Sequence, residues 1–99
     1  MNISRVHWLL FNLSTEFKGA YSLVYDYSNH KYLFYRTENR KIYDLFVVVR
    51  SSKHCFRVVY ANTRTKDIQY FSCRKSSICA RRMYYLWQID ENDRRFKPP

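Results

Sequence analysis

The chain has 99 residues, 46% of them hydrophobic and 26% charged, with a formal net charge of +10. That balance excludes a disordered tail and fits one domain, residues 1–99, with one modest core. No apolar run is long enough to span a bilayer, which argues against a membrane partner, and a single glycine can hardly supply a phosphate-cradling loop.

The first element is helical. Val6, Leu9, Leu10, Leu13 and Phe17 recur at helical spacing over residues 4–17, and Ser4 is available as an N-cap. The polar side of this run lacks the lysines and arginines of an interfacial helix, so its apolar face is expected to pack on a sheet.

After Gly19 the period changes to two. Tyr21, Leu23, Tyr25 and Tyr27 alternate with Ser22, Val24 and Asp26, which reads as a strand. Residues 28–31 form a turn in which Asn29 is the natural left-handed residue. A second strand covers residues 32–36, and residues 37–40 close it. Residues 42–50 are the most strand-like run, centred on Val47, Val48 and Val49. Residues 51–54 turn the chain into a fourth strand at 55–60, and after a loop from residue 61 a fifth runs from 68 to 73. Connections this short favour antiparallel neighbours. Residues 78–87 suit a helix capped by Ser76 or Ser77, but they also alternate acceptably as a strand. The polar tail from residue 90 to 99 is expected to be loose. The fold class is therefore α+β: an antiparallel meander of about five strands, with a helix at one or both ends.

The charge is concentrated centrally. Between residues 27 and 89, 13 lysines and arginines are opposed by Glu38, Asp44 and Asp67. A field of that sign attracts polyanions. Arg57, Arg64, Lys66, Arg74, Lys75, Arg81 and Arg82 are expected to cluster on the last two hairpins, where they would contact phosphates. Tyr60, Tyr70 or Tyr84 would stack on bases if exposed. The plainer account is a solvated charged edge that blocks strand-to-strand aggregation.

Three cysteines are too few for a dense disulfide scaffold, and no secretory signal precedes the fold, so a reducing intracellular compartment is expected. Cys73 and Cys79 flank a turn and could make half of a zinc site, one residue longer than the usual spacing. No histidine follows Cys79, which leaves the zinc ligand set incomplete, with His54 and Cys55 as the remaining candidates. The plainer account is that all three cysteines are small buried hydrophobes. Cys55, Arg57 and Tyr60 recur 24 residues later as Cys79, Arg81 and Tyr84, an echo too short to establish a structural repeat.

The runs 56–60, 62–67 and 70–73, followed by Cys79-Ala80-Arg81-Arg82, resemble the FLYWCH zinc-finger family of WRKY-like β-sheet DNA-binding domains. The resemblance covers residues 46–99 and implies a DNA-reading sheet and a zinc site closed by a His-x-His pair. Here Phe71 stands in place of the family's Trp, Ser72 in place of its Arg, and Arg95-Phe96-Lys97 where the histidine pair would fall.

His7, His30 and His54 lie in separate segments, none with an acid–thiol or acid–hydroxyl arrangement nearby, so an enzyme is not expected. The reading favoured by the sequence is non-enzymatic nucleic-acid binding, DNA before RNA. Such a protein would work in the nucleus of a eukaryote, or in the host cytoplasm if viral. The alternative is a protein–protein interaction module, such as a small viral or host-interaction protein, with a homodimer or partner surface.

Overall fold

A computed structural model describes residues 3–14, 21–90 and the helical backbone of 91–96. The order is α1 (Ile3–Leu13), β1 (Ser22–Asp26), β2 (Lys31–Glu38), β3 (Lys41–Ser52), β4 (Cys55–Asn62), β5 (Ile68–Cys73) and α2 (Ser76–Phe96). The five strands form one antiparallel sheet in chain order, β1 to β5. The expected α+β meander is thus observed, and the C-terminal element is a helix.

The turns set the register. Asn39 and Arg40 both have positive φ, 52° and 65°, closing the β2–β3 hairpin in two residues beside the Glu38–Lys41 pair. Two consecutive left-handed residues match the twist of the flanking strands. In the β1–β2 turn the left-handed residue is His30 (φ 52°), not Asn29. Asn29 instead hydrogen-bonds the Asp26 carboxylate through its side chain at 2.8 Å, which fixes the start of the turn. The Asp26 pKa is held below the ordinary value, chiefly by that bond.

Both helices lie on the same face of the sheet. Phe34, Phe46, Val48, Phe56, Val58 and Tyr60 point to that face at alternating strand positions and are buried with Val6 and Leu10 of α1. From α2 come Cys79, Ala80, Met83 and Trp87, spaced three and four residues apart along one helical stripe. Trp87 is fully buried and packs against Phe46 and Tyr21, with ring centroids 5.3 and 5.1 Å away. Tyr21 ties α1 to this cluster, its hydroxyl donating to the His7 carbonyl at 3.0 Å.

Helix α2 corrects two expectations. It continues through residue 96, so residues 90–96 are helical; 97–99 lie outside the described residues, as does Phe17 of the first expected helix. Its first helical hydrogen bond runs from the Cys79 N–H to the Lys75 carbonyl at 3.0 Å. Lys75 thus occupies the cap position, with Ser76 as the first helical residue.

Among the described residues, no helix lies on the other face of the sheet. Val24, Leu33, Val47, Val59 and Tyr70 are successive cross-strand partners and form one row across all five strands. The next row is Ser22, Tyr35, Leu45, Ala61 and Ile68. No described helix is both long and apolar enough to cross a membrane.

Candidate nucleic-acid interface

A meander of hairpins sends alternate turns to opposite ends of the sheet. The β1–β2 turn, the β3–β4 turn and the link from β5 to α2 therefore share one end. Exposed Lys31, Lys53, Arg74 and Lys75 stand there, with Arg50 and the imidazoles of His30 and His54. Arg50 is folded back on its own hairpin, donating to the carbonyls of Ser52 at 3.3 Å and Lys53 at 3.4 Å. Arg57 is close to this end on the helix-free face, opposite Val49 and Ser72. Among the described acidic side chains, Glu38, Asp44, Asp67 and Asp90 sit at the opposite end, leaving Asp26 to oppose these cations. The fold thereby separates charge along the strands, and one end carries most of the positive field.

The ten residues expected to bind nucleic acid do not form one surface. Arg74 and Lys75 are at the basic end. Arg81 and Arg82 are exposed near the start of α2, on the helix side, with the Arg82 guanidinium 5.0 Å from the Phe71 ring centroid. Arg57 and Tyr70 lie on the helix-free face, where Tyr70 is 76% exposed. Lys66, in the left-handed region at φ 63°, is in the β4–β5 turn at the far end. Tyr84 is half-buried against the core.

Tyr60 and Arg64 are corrected by their surroundings. Tyr60 is only 3% exposed, and its hydroxyl accepts a hydrogen bond from Asn62 Nδ2 at 3.0 Å, so its ring cannot stack on a base. Burial raises its pKa, partly opposed by that bond. Arg64 is committed within the protein, donating to Glu38 at 2.9 Å and Asp90 at 3.1 Å. Its guanidinium also lies 3.7 Å from the Tyr43 ring centroid.

These residues belong to a buried polar network that closes the far end. The sheet register shifts between Arg36 and Thr37, which makes Tyr43 the extra residue of a bulge and brings Arg36 opposite Asp44. Arg36 pairs with Asp44 and, at 3.1 Å, with Asp90 of α2. Asn62 donates to Asp90 at 3.0 Å, and its own carbonyl oxygen accepts from the backbone of Arg64 and Thr65. One asparagine thus shapes the β4–β5 turn and anchors the helix. Burial pulls the Arg36 pKa down, but the bond and charge of Asp44 outweigh it and the guanidinium stays charged. Asp44, fully buried and with Oδ1 unpartnered among the described residues, bears the desolvation cost, and its pKa is raised despite Arg36. A groove of about 410 Å³ beside this network sets Lys66 against Asp67 and Asp90, so its lining is not basic.

The thiols do not fit a zinc ion. Cys73 and Cys79 are both buried, and the Cys79 thiol contacts the Met83 sulfur at 3.9 Å. Burial, then the neighbouring Cys73, pushes the Cys79 pKa far up, which opposes the thiolate a metal needs. No third His, Cys, Asp or Glu converges on them among the described residues. The expected half-site is, structurally, a pair of core thiols that fasten the end of β5 to the first turn of α2.

Sequence reading missed Lys31 and Lys53 as site residues because it grouped charges by hairpin. The signal was available: in a meander, charges in alternate turns meet at one end. No protein-family model, curated protein or solved structure matches the chain.

Proposed function

We propose that this protein is a non-enzymatic nucleic-acid-binding module that holds the phosphate backbone with the basic end of its sheet. The observation carrying this reading is the gathering of Lys31, Lys53, Arg74 and Lys75 from three separate chain segments, while the acids lie at the other end. Flexible lysines and arginines on short turns suit phosphates, which demand charge more than fixed geometry. Arg57, Arg81 and Arg82 flank the end on its two faces, outside the phosphate contact made by those four residues. The FLYWCH-like character of residues 46–99 favours DNA over RNA as the partner, with no metal required. On this reading the protein works where nucleic acid is held, the nucleus of a eukaryotic cell or the cytoplasm of an infected host.

The test compares two triple variants by binding to duplex DNA at low salt. Lys53→Ala with Arg74→Ala and Lys75→Ala should weaken binding at least tenfold. Arg40→Ala with Lys41→Ala and Lys66→Ala removes the same charge from the far end and should weaken it much less. Equal losses would reduce the effect to net charge and reject the basic end as the site. Single-stranded RNA run in parallel separates the two partners: tighter binding to RNA would reject DNA as the preferred one.

A further inference from the structure

Apart from Arg57 at its border, the helix-free face of the sheet has no part in the basic end, and its composition is unlike that of a solvated surface. The row from Val24 to Tyr70 and the row from Ser22 to Ile68 contain ten side chains, none charged. An antiparallel sheet with one face in water normally alternates apolar inside with polar outside. Here both faces are apolar, Ser22 on the edge strand β1 being the one polar side chain of the two rows. Tyr70 is 76% exposed and Ile68 59% exposed, although the chain is otherwise rich in charge.

We propose that this face is covered by a second copy of the chain, the two sheets packing face to face in a two-fold dimer. Three observations favour a copy over another occupant. The first is area. Five strands about 4.8 Å apart, with an uncharged span of roughly 20 Å along them, give about 500 Å² per copy, or about 1,000 Å² for a pair. That reaches the lower bound for a specific interface and corresponds to a reversible dimer.

The second is charge. Two identical faces can meet over the two apolar rows without burying an unpaired ion, whereas a basic or acidic partner would find no counter-charge there. Arg57 lies in the bordering row with Val49 and Ser72. If the strands of the two sheets run in opposite directions, each Arg57 lies over the other copy's border at Thr37 and Ile42. The two basic ends then point to opposite poles, which minimises repulsion between chains of net charge +10. The third is shape, since two twisted sheets of equal width pack naturally with strands about 30° from alignment, as the halves of a sandwich. The inference is independent of nucleic-acid binding.

Sedimentation equilibrium of the full chain, from micromolar to submillimolar concentration, tests it. The mass should approach twice the 12.3 kDa of one chain and fall towards one chain on dilution. Tyr70→Glu combined with Ile68→Glu should remain at the single-chain mass with an unchanged circular dichroism spectrum. Tyr70→Ser, a milder change at a solvated side chain, should shift the dissociation midpoint upward and keeps the test valid if the double variant unfolds. A single-chain mass at every concentration, or a dimer indifferent to the substitutions at Tyr70 and Ile68, would overturn the proposal.

Discussion

Arg36 and Asp90 are 54 residues apart in sequence and 3.1 Å apart in space, joining β2 to α2 about four turns along the helix. Asp44 shares the same guanidinium, so one buried cation holds two carboxylates. Such a network orients elements more than it adds net stability, yet removing one member leaves uncompensated charge. Arg36→Met should therefore cost about 3–5 kcal/mol, read by denaturant unfolding. A loss below about 1 kcal/mol would mean the carboxylates find water or another partner.

The network also fixes how stability depends on pH. The Asp44 pKa is raised in the folded protein by burial, so the folded state binds its proton more tightly than the unfolded chain. Its contribution is fully present below the unfolded value near 3.8 and is lost as pH rises through the folded value. Asp26 has the opposite sign, its folded pKa being lowered, so its contribution is present above 3.8 and lost as pH falls. Carboxyl-carbon NMR titration should place the Asp44 midpoint above that of Asp26. The reverse order would contradict the burial of Asp44.

Thiol chemistry distinguishes core cysteines from metal ligands. Cys55 is half-buried, whereas Cys73 and Cys79 are buried where β5 meets α2. A disulfide reagent should modify Cys55 first, and the other two only at the rate of unfolding. Protein purified without chelator should carry well under one zinc per chain. Rapid modification of Cys73 and Cys79, with zinc release, would restore the metal site.

Two tyrosines predicted to stack separate by environment. Tyr60→Phe removes the acceptor of Asn62 Nδ2 at 3.0 Å and should cost about 1 kcal/mol of stability without changing DNA affinity. Tyr70→Ser should leave monomer stability within about 0.5 kcal/mol, because the side chain stands in solvent. An affinity loss confined to Tyr60→Phe would show that burial had been misjudged as protection from ligand.

The meander was legible because strand periodicity and turn chemistry are local. Tyr21 to Tyr27 alternate cleanly, and short polar connections leave no choice but antiparallel pairing. What local reading could not find was long-range. Asp90 looks like the first residue of a loose acidic tail, and it becomes a helix anchor only through Arg36 and Asn62, two strands away. The same blindness left residues 78–87 open between helix and strand, since the stripe formed by Cys79, Met83 and Trp87 is interrupted by arginines. Tyr60 follows the strand alternation that points Phe56 and Val58 into the core, so its burial was within reach of the sequence. Arg64 was not, because its partners Glu38 and Asp90 each lie 26 residues away.

The salt dependence of DNA binding tests the central claim most directly. If Lys31, Lys53, Arg74 and Lys75 each displace a counterion, the logarithm of the binding constant should fall against the logarithm of salt with a slope of about −3.6. A fourfold rise in salt would then weaken binding about a hundredfold. The Lys53→Ala, Arg74→Ala, Lys75→Ala variant should bring the slope to about −1. A wild-type slope near zero, or a slope the variant leaves unchanged, would contradict phosphate binding at this end of the sheet.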